Sequence, residues 1–180
     1  VPGGRGGGII KLFASKQVQL NGSISANGES YVCNRGCPTF STGGGGAGGS
    51  ISISAQQFLG AGNICSSGGS VQVACSSTIS GGGGAGGRVF LRNHDSDVID
   101  LISLELNISA FGGSSDGCGA GGAGTIFIEF NQTLIVDNGF ASFWSAITPF
   151  PYQDSSHANL TDIIVRRRAS FLFPVADAIS

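Results

Sequence analysis

Methionine is missing from the chain, tryptophan occurs once, histidine twice and proline five times. Without methionine and with one tryptophan, the core is expected to be packed mainly by small and β-branched residues. Charged residues make up only 11% of the sequence, against about 25% in an average soluble domain. Low charge with a mean hydropathy of +0.23 argues against simple disorder, which combines low hydrophobicity with high net charge. The net charge of -2 provides no general attraction for nucleic acid or an anionic membrane. No apolar run reaches the roughly 18 to 20 residues that span a bilayer. The chain opens at Val1 with no signal-like apolar region, which reads as a processed mature chain or an excerpt of a longer one.

What the sequence has in quantity is glycine, 32 residues of 180, and the glycine is organised. A glycine block followed by an apolar-alternating segment occurs four times. The copies are Gly-Gly-Arg-Gly-Gly-Gly-Ile-Ile-Lys-Leu at 3–12, Gly-Gly-Gly-Gly-Ala-Gly-Gly-Ser-Ile-Ser-Ile-Ser at 43–54, Gly-Gly-Gly-Gly-Ala-Gly-Gly-Arg-Val-Phe-Leu at 81–91 and Gly-Ala-Gly-Gly-Ala-Gly-Thr-Ile-Phe-Ile at 119–128. Their last block glycines, Gly8, Gly49, Gly87 and Gly124, are 41, 38 and 37 residues apart. A second element follows each strand at 23–28, 63–68, 107–112 and, more weakly, 134–139, each a short strand ending in a glycine turn.

Alternation of the Ile51-Ser52-Ile53-Ser54 kind gives one apolar face with a period of two. One repeat cannot bury that face alone, so the copies must stack. Ile10, Ile51, Val89 and Ile126 then fall into one ladder, with Ile53, Leu91 and Ile128 in the next. The product expected is all-β: a parallel β-helix or solenoid of about four glycine-rich repeats over 1–142, with a non-repeat cap or connector over 143–180. Gly48, Gly49, Gly86 and Gly87 are expected to form its corners. The other geometry open to the blocks is a bundle of extended polyglycine helices.

Gly-Gly-Gly-Gly-Ala-Gly-Gly-Ser-Ile-Ser-Ile-Ser-Ala, followed by Gly-x-Ile-x-x-x-Gly-Gly, resembles the glycine-rich repeats of large extracellular proteins of the right-handed parallel β-helix, pectin-lyase-like superfamily. The resemblance covers about residues 3–142. It implies architecture more than activity, because that fold hosts lyases, hydrolases, adhesins and structural fibres.

Four Asn-x-Ser/Thr sequons, at Asn21, Asn107, Asn131 and Asn159, suit an extracellular chain carrying N-linked glycans; the plain alternative is four asparagines in exposed turns or strands. Of five cysteines, Cys33 with Cys37 and Cys65 with Cys75 each bracket a short segment where a local disulfide would close a loop. Cys118 would then be unpaired or intermolecular. Zinc is disfavoured, because His94 and His157 stand alone.

Polysaccharide hydrolases of this architecture need grouped carboxylates. The only cluster is Asp95, Asp97 and Asp100, with Glu105 beyond and Arg92 beside it; against calcium binding or catalysis there, a solvated loop is the favoured reading. No Gly-x-Ser-x-Gly with acid and histidine partners occurs, and no Gly-Lys-Ser/Thr closes a glycine block into a phosphate loop. Threonines are too few to form the ladder of an ice-binding face. No catalytic residue, metal or cofactor is expected.

The segment from Phe143 onward loses the glycine and brings Trp144, Phe150 and Tyr152, which are candidates for polysaccharide contact. The run 162–173 reads either as a cap or as a strand pairing with a neighbouring subunit through Arg166, Arg167, Arg168, Phe171 and Phe173. Together these features lead to the expectation of a secreted, glycosylated structural protein that assembles with copies of itself into a fibre, wall or surface appendage. A carbohydrate-binding adhesin is the alternative, and a polysaccharide-degrading enzyme the remoter one.

Overall fold

A computed structural model describes residues 2–33, 43–73, 81–93, 106–115, 119–139, 146–149 and 160–172. The described chain is all-β and its sheets are mainly parallel. In the first repeat lie β1 (Ile9–Phe13), β2 (Gln17–Gln19), β3 (Ser23–Ser25) and β4 (Tyr31–Cys33), and in the second β5 (Ser50–Ala55), β6 (Gln57–Leu59), β7 (Asn63–Cys65) and β8 (Val71–Val73). The third contributes β9 (Arg88–Asn93) and β10 (Asn107–Ser109), and the fourth β11 (Thr125–Ile128) and β12 (Thr133–Asp137). The remaining strands are β13 (Ile147–Pro149), β14 (Asp162–Arg166) and β15 (Ser170–Leu172).

Equivalent strands of successive repeats pair in register. The main sheet has the order β1-β5-β9-β11-β12-β14, and β3-β7-β10 form a second, three-stranded sheet. Ile10 lies beside Ile51, Ile51 beside Val89 and Val89 beside Ile126, which is the ladder expected from the sequence. Ile51, Ile53, Val89, Leu91 and Ile126 are buried, joined by Ile64 from β7, and Ile128 is half-buried. A single fully buried Ile or Leu side chain contributes about 1.5–3 kcal/mol, so this seam dominates the apolar stabilisation.

Two expectations are corrected. The segment 134–139 does not stack on β10; β12 instead turns back and runs antiparallel to β11, placing Ile126 opposite Ile135. The connection is one 3₁₀ turn at Glu129–Asn131, closed by Gln132 at φ 52. So short a reversal permits only an antiparallel neighbour, since a parallel one needs a crossover of a dozen residues or more. The glycine blocks are also not corners. Gly48, Gly49, Gly86 and Gly87 make no left-handed turn; among the described glycines positive φ occurs at Gly60, Gly119 and Gly139. The blocks run as extended segments side by side, and this is the second of the two geometries open to them.

Candidate functional site

The most specialised region of the molecule is the pair of layers built from these blocks. One layer holds residues 4–8, 45–49, 83–87 and 120–124; facing it are 26–30, 66–70 and 110–114. Within the first layer, Gly4 and Gly7 donate N–H bonds to Gly44 and Ala47, and Gly45 and Gly48 donate to Gly82 and Ala85. The next residue in each block donates across the gap: Gly46 to Glu29 and Gly49 to Ala26, Gly84 to Gly69 and Gly87 to Ser66. Direction therefore repeats every three residues, as in an extended helix of three residues per turn.

The cross-layer bonds join into one relay. Glu29 donates to the Arg5 carbonyl at 2.8 Å, Gly46 to Glu29 at 2.9 Å, Gly69 to Gly46 at 2.8 Å, Gly84 to Gly69 at 2.9 Å, Gly113 to Gly84 at 2.8 Å and Gly121 to Gly113 at 2.9 Å. Layers this close leave no room for side chains. A Cβ on Gly46 would fall far inside contact distance of the Arg5 carbonyl oxygen, and one on Gly84 would do the same to Gly46. The third position of each triplet points outward, and there the sequence has Ala47 and Ala85, both exposed.

On the outer face of the second layer, short polar side chains bind the backbone of the following repeat. The Ser67 N–H donates to Asn27 Oδ1 at 2.7 Å and the Phe111 N–H to Ser67 Oγ at 3.2 Å. Three residues on, the N–H groups of Ser70 and Ser114 donate to Ser30 and Ser70 Oγ at 3.0 and 3.1 Å.

Of the residues singled out in the sequence, Asn21 and Asn107 are exposed, the latter in a surface row with Ser23 and Asn63. Asn131 is different: its Oδ1 is buried without a hydrogen-bond partner and Thr133 is 4% exposed. This sequon is packed into the fold. Asn159 lies outside the described residues. Cys33 is disulfide-bonded, and Cys37, Cys75 and Cys118 lie outside the described residues. Cys65 is a free thiol, which corrects its expected pairing with Cys75. Its strand is held instead by register pairing between Ser25 and Ser109.

Arg166 and Arg167 bind within the chain. Arg166 Nε lies 2.6 Å from Asp137 Oδ2 and Arg167 Nη1 3.6 Å from the same oxygen. Asp137, with its side chain 3% exposed, also accepts the Gly139 N–H through Oδ1 at 2.9 Å. Nothing in the sequence marked Asp137 as the partner of the arginine run; β12 and β14 must pair before the two meet. Phe171 lies in β15, beside Thr148 of β13, and Phe173 is outside the described residues.

Arg92 forms an ion pair with Glu129 at 3.0 Å, while Asp95, Asp97, Asp100, Glu105, His94 and His157 are outside the described residues, as are Trp144, Phe150 and Tyr152. Among the described residues no three His, Cys, Asp or Glu side chains converge on a metal-sized site. A groove of about 190 Å³ runs beside Gly86, Gly124, Arg88 and Thr148. It falls below the roughly 300–1,000 Å³ usual for small-molecule sites. No helix is long and apolar enough to cross a membrane among the described residues.

Comparison with protein families, with curated proteins and with solved structures gives no match to this chain.

Proposed function

We infer that this is an extracellular structural protein, a parallel β-solenoid with one turn per glycine-rich repeat, which assembles with copies of itself into a fibre, wall or surface appendage. An architecture of the right-handed parallel β-helix kind, without catalytic, metal or cofactor chemistry, is part of this reading. The disulfide at Cys33 and the exposed sequon asparagines Asn21 and Asn107 support an oxidising, secretory setting.

The observation that carries the reading is that, among the described residues, the main sheet ends on both sides in strands whose apolar side chains are exposed. On β1, Ile9 is 74% and Phe13 76% exposed; on β14 all five residues are exposed, with Ile163, Ile164 and Val165 in a row. Edge strands of this kind add strands from other chains. β14 runs opposite to β1, because β11 and β12 are antiparallel while the other pairings of the sheet are parallel. Pairing of β14 from one copy with β1 of the next is heterologous, the interface type that builds open filaments wherever the rotation between copies does not close a ring.

Electron microscopy of the purified chain tests this, with intact mass before and after glycosidase treatment. Filaments are expected, and Ile9→Lys or Val165→Lys, both at exposed positions, should abolish them without changing the β-sheet circular dichroism. Monodisperse particles at every concentration would overturn the assembly reading and move the weight to a carbohydrate-binding module, to be screened against polysaccharides.

A further inference from the structure

Asparagine followed by glycine is chemically labile, because the glycine nitrogen has no neighbouring Cβ to hinder its approach to the asparagine carboxamide. The chain contains this dipeptide three times, at Asn21-Gly22, Asn27-Gly28 and Asn138-Gly139. The fold treats the three differently. At Asn27 both reacting groups are held by Ser67: Gly28 donates its N–H to the Ser67 carbonyl at 2.9 Å, and Asn27 Oδ1 accepts the Ser67 N–H at 2.7 Å. At Asn138 the Gly139 N–H is committed to Asp137 Oδ1 at 2.9 Å, and the asparagine is 2% exposed, so water is kept out.

Asn21 has neither protection. It is exposed, and the Gly22 N–H has no hydrogen-bond partner among the described residues. A Cβ placed on Gly22 would meet nothing within 4 Å. The chain on either side is anchored, with Leu20 donating to Leu59 at 2.9 Å and Asn63 donating to the Gly22 carbonyl at 2.8 Å. The dipeptide therefore sits as an exposed bend between fixed ends, open at Gly22, with Asn21 Oδ1 lying close to Gly60.

We propose that Asn21 is a site of covalent self-modification, which converts to aspartate and isoaspartate wherever it carries no glycan. The Gly22 nitrogen, losing its proton, attacks Asn21 Cγ; the new N–Cγ bond forms as the Cγ–Nδ2 bond breaks, and ammonia leaves with the proton. Water then opens the five-membered imide at either carbonyl, with no oxidant or reductant involved. Asn21-Gly22-Ser23 is also a sequon, and a sugar on Nδ2 removes ammonia as the leaving group. The two fates exclude one another: glycosylation keeps position 21 uncharged, and its absence places a negative charge there and destroys the sequon.

The test is a time course of peptide mapping on the folded, unglycosylated full chain at mildly alkaline pH, with a parallel sample in denaturant. Acid and isoaspartate should accumulate at Asn21 at least an order of magnitude faster than at Asn27 or Asn138, and denaturation should bring the three rates together. Gly22→Ala, which the open space accommodates, should slow the reaction at Asn21 alone. Equal rates at all three sites in the folded chain, or a preference for Asn21 that persists in denaturant, would overturn the proposal.

Discussion

Arg5 and Glu29 meet at the start of the stacked glycine layers, where the Arg5 N–H lies 3.1 Å from Glu29 Oε2 and the Glu29 N–H bonds the Arg5 carbonyl at 2.8 Å. Register places Arg5 in line with Gly46, Gly84 and Gly121, and Glu29 in line with Gly69 and Gly113. A Cβ at any of these later positions would run into the carbonyl of the repeat before it. No such repeat lies beneath Arg5 and Glu29 among the described residues, so each tolerates a side chain. Together the two charges prevent another glycine layer from stacking in register at this end. β1 remains open to a strand that brings no glycine block, and β14 is such a strand.

Glycine at these positions is a packing requirement, and its strength depends on place. Gly84→Ala pushes a methyl group into the Gly46 carbonyl oxygen, and overpacking of this sort costs about 1–3 kcal/mol or more. Gly6→Ala meets only the Ala47 carbonyl oxygen at 3.6 Å and should change stability by less than about 0.5 kcal/mol. Thermal unfolding of the two variants side by side measures the difference; equal midpoints would refute the close-packed layers.

Asp137 organises the end of β12 by accepting from Gly139 and pairing with Arg166 and Arg167. Asp137→Ala removes the buried acceptor of a buried N–H and should destabilise the chain by about 1–3 kcal/mol in urea titrations. Arg168→Ala should have a smaller effect. The contrast separates a specific buried carboxylate from general loss of charge in the arginine run.

Cys65 should react with a thiol-alkylating reagent in the native, unreduced protein, and Cys33 only after reduction. Peptide mass spectrometry reads both residues in one digest. A disulfide-linked peptide joining Cys65 to Cys75 would show that this pairing forms after all.

Much of the fold is legible in the sequence because stacking like on like is a local rule repeated. Once the glycine blocks are aligned, Ile10, Ile51, Val89 and Ile126 can only share a ladder, and the buried face of β5 follows from its alternation. The exceptions to the glycine pattern stand in the sequence as well: Arg5 near the start, and Ala120 and Ala123 near the end. Their meaning does not. Ala123 aligns with Gly86, whose Cβ would strike the Ala110 carbonyl; against Ala123, which is 4% exposed, lies β13, where Thr148 Oγ1 donates to the Ala123 carbonyl at 2.6 Å.

The sequence by itself determined where the repeated strands lie and which apolar residues share a ladder, since each depends on a repeat meeting its own copy. Only the tertiary structure decided that the blocks lie flat as hydrogen-bonded layers, that β12 reverses direction and that Asp137 receives the arginines of β14. Those outcomes depend on the distance between backbones and on contacts between unlike segments about 30 residues apart, Asp137 and Arg166 among them. No periodicity in one segment records what the other will place against it.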